Sequence, residues 1–197
     1  MALEGFPKKA NLRDGSQVLL RPLGFEDAEG LLLLYRGLPE EDRLVLRDDV
    51  TRAEWSERFL TKVALGDVVS IVAEEEGHLV GEASLYRMRH GWTAHVGELR
   101  VSVDRAHQRK GLGFVLAREL VKLARGLSLE KLVAQMVETQ VAALKVFQKL
   151  GFVQEAVLKG HVKDAEGQKR DLFLLSNDAS RIFEAIESLP AEPTVVP

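Results

Sequence analysis

The stretch from Glu98 to Val137 constrains the fold more than any other part of the chain. Residues 98–103 read Glu-Leu-Arg-Val-Ser-Val and lead through a short connection into the loop Gln108-Arg-Lys-Gly-Leu-Gly113. Leu116, Leu120, Leu123 and Leu127 then recur at helical spacing, and a second apolar run, Leu132–Val137, follows. This is a strand, a helix and a strand. A unit of that kind sets its two strands parallel in one sheet. The helix start between them leaves N–H groups unpaired and carries partial positive charge, and glycines let an anion come close. Arg109, Lys110, Arg118, Lys122 and Arg125 make the segment locally basic. The loop therefore suits a diphosphate, while Arg118, Lys122 and Arg125 read as a solvated helix face.

The rest of the chain supplies the other layers. Residues 12–23 read as a strand after a turn at Asp14-Gly15, and Phe25–Asp27 opens a helix carrying Leu31, Leu32 and Leu34. Thr51-Arg-Ala-Glu54 has the form of a capping box before Trp55, Phe59, Leu60 and Val63. Val68–Ala73, Leu79–Tyr86 and Val96–Val103 form an antiparallel meander. Val141–Leu150 reads as a helix stopped by Gly151, followed by a long hairpin, Phe152–Val162 and Arg170–Leu175, around Asp164–Gly167. Ile182, Phe183, Ile186 and Leu189 mark a last amphipathic helix. The order predicts an α+β fold with a mixed, mostly antiparallel central sheet flanked by helices. A single domain is expected over residues 1–189, with a flexible tail over 190–197 that carries Pro190, Pro193 and Pro197.

Composition narrows the chemistry. The 197 residues hold 27 Lys+Arg against 30 Asp+Glu, a balance that disfavours a nucleic-acid partner bound through bulk basicity. There are no cysteines, so a thiol nucleophile, a disulfide framework and Cys-ligated metals are excluded. The five histidines fall in no ligand spacing, and no metal is expected. No apolar run approaches the ~20 residues of a membrane span, and Met1–Lys9 lacks an apolar targeting core. A cytoplasmic location and no membrane partner are expected. No G-x-x-x-x-G-K-[ST] run exists, and Leu116 stands where a dinucleotide fingerprint needs its third glycine.

The hexamer Gln108–Gly113 does fit the pattern [Q/R]-x-x-G-x-[G/A] after a strand ending at Val103. A second stretch, Ala143-Leu-Lys-Val-Phe-Gln-Lys-Leu-Gly-Phe152, agrees with it. Together they resemble the GNAT superfamily of acyl-CoA-dependent N-acetyltransferases, over roughly residues 12–176. Leu12–Leu23 with Glu26-Asp27-Ala28 is similar to the protein-lysine-acetyltransferase-like members. The resemblance implies acetyl-CoA as cosubstrate, in a V-shaped gap between the strands Val96–Val103 and Leu132–Val137. It implies cofactor contacts at Val101, Ser102, Val103, Gln108, Arg109, Lys110, Gly111, Leu112, Gly113, Phe114, Gln140 and Phe147. The thioester carbonyl would be polarised by a backbone N–H near Val101.

An amine acceptor, protein or small molecule, then attacks directly, with a homodimer as one open state of assembly. The ammonium must first lose a proton. Relatives of the phosphinothricin and protein-lysine types carry their basic Glu at the position of Glu98, which favours Glu98 over Glu82 or Glu138. Two departures stand out. Phe147 occupies the place often held by a Tyr that protonates the departing thiolate, and Gln140 the place often held by Asn. Water, Tyr86 or another group would serve as the acid, or none is needed. Loss of that Tyr also leaves open a non-catalytic acyl-CoA-binding regulator on the same fold.

Overall fold

The computed structural model describes residues 3, 5–44, 46, 48–178, 182 and 194–196. The elements are β1 (Lys8–Asn11), β2 (Gln17–Pro22), α1 (Ala28–Gly37), α2 (Glu40–Leu44), α3 (Ala53–Leu65), β3 (Val68–Glu75), β4 (His78–Arg87), β5 (Val96–Val103), α4 (Leu112–Arg125), β6 (Lys131–Val137), α5 (Val141–Lys149), β7 (Val153–Lys163), β8 (Lys169–Asp178) and β9 (Thr194–Val196). Among the described residues nine strands form one sheet in the order β7-β8-β6-β5-β4-β3-β2-β1-β9. The β5–β6 pair is parallel, as the strand–helix–strand pattern requires, and the other pairs are antiparallel. Among the described residues no helix is long and apolar enough to cross a membrane.

The sheet separates two cores. On one face α4 buries Leu112, Val115, Leu116 and Leu120 against Leu85, Leu99 and Leu132, and Phe147 of α5 joins them. On the other face Leu31 and Tyr35 of α1 and Trp55, Phe59 and Leu60 of α3 pack over Val68 and Val72. Alternation along β5 decides what faces where. Leu99, Val101 and Val103 pack with the α4 core. Glu98, Arg100 and Ser102 point the other way, sharing a face with Tyr86, Ser84 and Glu82, their partners on β4. Glu82 is the anchor of that face, bonded to Tyr35 of α1.

Four readings of the sequence are corrected. The strand after Asp14-Gly15 is half of a hairpin whose other half, β1, precedes the turn; its Lys8 and Lys9 masked it. The Thr51 side chain bonds to Asp49 (Oγ1–Oδ1, 2.6 Å) and not to the helix, which starts at Ala53 without a side-chain cap. Residues 194–196 are not loose: β9 pairs antiparallel with β1, Lys9 opposite Val196. Arg118 is not on a solvated face. It is only 5% exposed, with its guanidinium 5.7 Å from the Phe114 ring centroid. Lys122 and Lys8 both pair with the buried Glu119, at 2.7 and 2.8 Å. The expected last helix lies outside the described residues except for Ile182, which is helical and fully buried.

Candidate active site

Pairing between β5 and β6 stops early. The register runs Val96↔Lys131, Gly97↔Leu132 and Glu98↔Val133, and then ends, although β5 continues to Val103 and β6 to Val137. Beyond Glu98, β5 is held by β4 alone, while β6 stays paired with β8 up to Val137↔Leu172. The two strands thus diverge into a wedge whose β5 edge offers backbone N–H and C=O groups to an extended ligand. Gln140 finishes the far wall, its Oε1 accepting the Val137 N–H at 2.9 Å.

The wide end of the wedge meets the start of α4. Arg109 (φ 61) and Gly111 (φ 94) both lie in the left-handed region. Left-handed residues alternating with a neighbour of negative φ, here Lys110, turn successive N–H groups inward into an anion-binding concavity. Gly111 is the N-cap and supplies no side-chain cap, so the first-turn N–H groups of Leu112, Gly113 and Phe114 have no intrahelical acceptor and no cap. Gln108 Nε2 ties the loop to the Val103 carbonyl at 3.2 Å. His107 pins the preceding bend, with Nδ1 at 2.8 Å from Asp104 and Nε2 at 2.9 Å from Glu75. Lys110 is engaged by Asp14 at 2.8 Å, and that ammonium holds the Asp14 carboxyl well below the usual carboxylate range. Sequence reasoning passed over His107 because its partners lie on two different elements.

Behind the wedge, on the α1–α3 face, a shallow cleft is lined by Tyr35, Leu46, Asp48, Val50, Trp55, Ser84, Tyr86 and Arg100. Tyr35 meets Trp55 edge-on at 4.8 Å, and Trp55 stacks on Phe59 at 5.2 Å. Arg100 lies over the Tyr86 ring at 4.2 Å and bonds Glu98 through Nε at 3.2 Å. The surroundings of Glu98 are therefore polar. The β4–β5 register is regular from Gly81↔Val103 to Arg87↔Gly97, so no bulge displaces Glu98 from this face.

Beneath the cleft floor sits Glu82, with 0% exposure. Its Oε1 accepts the Ser70 hydroxyl at 2.6 Å and its Oε2 the Tyr35 hydroxyl at 2.9 Å. Burial pushes its pKa up to about 7 from 4.5, against the opposing pull of Ser70 and Tyr35. A carboxyl raised in this way favours the folded state only while protonated. Its contribution is intact below 4.5 and is lost as pH climbs through about 7. Glu82→Gln, which cannot ionise, should gain stability relative to the parent between about pH 4.5 and 8, by roughly 3 kcal/mol at most. Urea unfolding at the two pH values measures this, and an equal difference at both would contradict it.

Of the residues expected at the site, Val101, Ser102, Val103, Gln108 and Arg109 to Phe114 gather around the wedge and its wide end. The Ser102 side chain belongs to the opposite face, across from Glu82. Phe147 is buried against Phe152, ring centroids 5.1 Å apart, in the core under α5. Trp92, at 93% exposure, stays in the β4–β5 loop away from the cleft residues. Phe147→Tyr should leave acetyl transfer within about threefold of the parent, because the position contributes packing and not a proton. Steady-state kinetics of the variant check this; a large gain in kcat with a new alkaline limb would show that the reaction lacks an acid.

Residues 33–152 match the model of the Acetyltransferase (GNAT) family. The chain belongs to this family. YwnH of Bacillus subtilis, a phosphinothricin acetyltransferase-like protein, is 28% identical over 111 residues, covering 55% of this chain and 68% of YwnH. YjcK of the same organism, named as an N-acetyltransferase, is 27% identical over 165 residues, covering 76% of this chain and 87% of YjcK. Among solved structures, the ribosomal-protein-alanine N-acetyltransferase of Brucella melitensis superposes with TM-score 0.72 and 26% identity, over 81% of this chain and 99% of its own. The protein yncA of Salmonella typhimurium, named as an acetyltransferase and solved with its cofactor acetyl-CoA, shares the fold at TM-score 0.75 and 23% identity, over 83% of this chain and 95% of its own.

The protein is accordingly a GNAT acetyltransferase, and acetyl-CoA is the cosubstrate of the family. The residues present fit it. An uncapped helix start preceded by two left-handed residues suits a pyrophosphate, and an unpaired strand edge suits an amide-bearing arm. The resemblance in the sequence and the family match agree on this point.

Proposed function

We propose that the protein transfers the acetyl group of acetyl-CoA to a primary amine by direct attack: a protein lysine, an N-terminus or a small amine. The observation that carries this reading is the β5–β6 wedge, with the uncapped start of α4 beyond its β5 strand and Arg100 of that strand lining the cleft with Tyr35 and Tyr86. In this reading the pyrophosphate rests on the N–H groups of Arg109, Lys110, Gly111, Leu112, Gly113 and Phe114. The pantetheine arm pairs with the backbone of Val101, Ser102 and Val103. Gln108 and Gln140 hold the two walls of the gap, and Phe147 supports the far one.

The acceptor amine approaches from the cleft, and a backbone N–H near Val101 stabilises the negative charge that develops on the thioester oxygen. Glu98, on the cofactor strand, takes the proton that the ammonium must lose. No dedicated acid is required, because a thiolate of pKa about 8.5 leaves readily. Action in the cytoplasm belongs to this reading and fits a chain without cysteine; a homodimer is one state of assembly the reading leaves open.

The test is CoA release measured with acetyl-CoA and a panel of amines: lysine peptides, peptides with free N-termini, polyamines and amino acids. Turnover with at least one of them is expected. Acetyl-CoA that binds without CoA release in the presence of any amine would point to a binding module.

A further inference from the structure

Glu82 is the one fully buried carboxyl on the acceptor side of the sheet among the described residues, and it is surrounded by hydroxyls. Ser70 and Tyr35 donate to it at 2.6 and 2.9 Å, and Ser84 reaches its Oε2 at 3.5 Å. Ser84 and Tyr86 lie two residues apart on β4 and share its cleft-facing side. Tyr35, Ser84 and Tyr86 all line the cleft. Two cleft-lining hydroxyls, those of Tyr35 and Ser84, therefore reach a carboxyl that touches no solvent. The charged groups facing this cluster are Arg100, across the sheet from Ser84, and Asp48 at the rim. Arg100 is engaged by Glu98, and among the described residues no cation forms an ion pair with Glu82.

We propose that Glu82 is a proton-holding residue of the acceptor cleft, taking up a proton shed by the bound ammonium through the hydroxyls of Tyr35 and Ser84. The inference rests on the acetyl-transfer reading above and adds a second proton acceptor to Glu98, on the side of the cleft away from the Glu98–Arg100 pair.

A carboxyl at the centre of a packed layer is costly, and a hydroxyl cluster of this kind can also be bonded by an amide, once one hydroxyl turns from donating to accepting. What a carboxyl adds is the capacity to change charge. Burial sets that change near neutrality, where a proton acceptor works best.

The step balances. The ammonium gives one proton to a hydroxyl, each hydroxyl passes its own proton on, and the Glu82 carboxylate becomes the acid. The nitrogen lone pair forms the C–N bond to the thioester carbon and the C–S bond breaks. The second proton from nitrogen is taken by Glu98 and passes from there to the CoA thiolate. Glu82 returns its proton to solvent when the cleft empties. Ammonium and acetyl-CoA thus give amide, CoA thiol and one released proton. Glu82 acts through its neighbours and does not touch the acceptor.

The experiment is the pH profile of kcat over about pH 6–9 for the parent, Glu82→Gln, Ser84→Ala and Glu98→Gln, with an amine that the parent acetylates. The parent is expected to show a limb rising through about 7. Glu82→Gln should lose that limb and fall about 10–100-fold in plateau kcat, with unchanged acetyl-CoA affinity. Ser84→Ala keeps the carboxyl while removing one of the two hydroxyls, and should also lower kcat, which covers the case that Glu82→Gln fails to fold. Glu98→Gln should lose rate but keep the limb. A Glu82→Gln or Ser84→Ala enzyme with the parent's kcat and limb overturns this inference alone. A parent that releases no CoA with any amine overturns both it and the acetyl-transfer reading.

Discussion

Gly113→Val should bind acetyl-CoA on the order of a hundredfold more weakly than the parent, a loss of roughly 3 kcal/mol, while unfolding cooperatively. A Cβ at position 113 meets only the Val103 side chain, at 3.7 Å, which is ordinary contact, and the backbone there is helical. The protein itself tolerates the added side chain. What does not is an anion seated against the first-turn N–H groups. Gly111→Val is the contrasting variant. With φ 94 at Gly111, a side chain there is strained whether or not a ligand is bound, at a cost of about 1–3 kcal/mol. It should lose both stability and affinity. Calorimetric titration of acetyl-CoA with thermal unfolding of both variants separates obstruction from strain. A Gly113→Val protein that binds like the parent would remove the loop from the cofactor site.

Glu98→Gln should lower kcat by about 10²–10⁴ across pH 6–9, with little change in acetyl-CoA affinity. The residue sits where β5 leaves β6, on the face of Tyr86 and Arg100, and its carboxylate is held by Arg100 at 3.2 Å. For it to take a proton, an incoming ammonium must displace or share that guanidinium. The amide of Gln keeps a carbonyl for Arg100 and removes only the basicity. Near-parent kcat over the whole range would show that Glu98 merely holds Arg100. A loss confined to the acceptor KM would make it an anchor for the amine.

The sequence was most legible where one strand–loop–helix unit carried both fold and site. The parallel β5–β6 pair, α4 from Leu112 and the glycine loop all follow from local spacing and turn chemistry. Other features depend on partners far along the chain. β1 carries Lys8 and Lys9 at positions that resemble a solvated leader, yet Lys8 pairs with Glu119, 111 residues away. Arg118 resembles its exposed neighbours at helical spacing, and only packing against Phe114 shows it to be buried. Thr51 had the composition of a cap but the geometry of a turn closed by Asp49. Glu82 lay in a strand of apolar residues as one more polar position. Its meaning appears only when α1 brings Tyr35, 47 residues away, to its carboxylate. The wedge itself is a failure of pairing, which no local pattern encodes.

The central claim is that acetyl-CoA lies in this wedge with its diphosphate on the start of α4. Amide hydrogen exchange followed by mass spectrometry, with and without saturating acetyl-CoA, tests it most directly. Slower exchange is predicted in peptides covering residues 99–103 and 109–114, with the β7–β8 hairpin unchanged. No slowing in those two segments at saturation, or slowing confined to other parts of the sheet, would contradict the account.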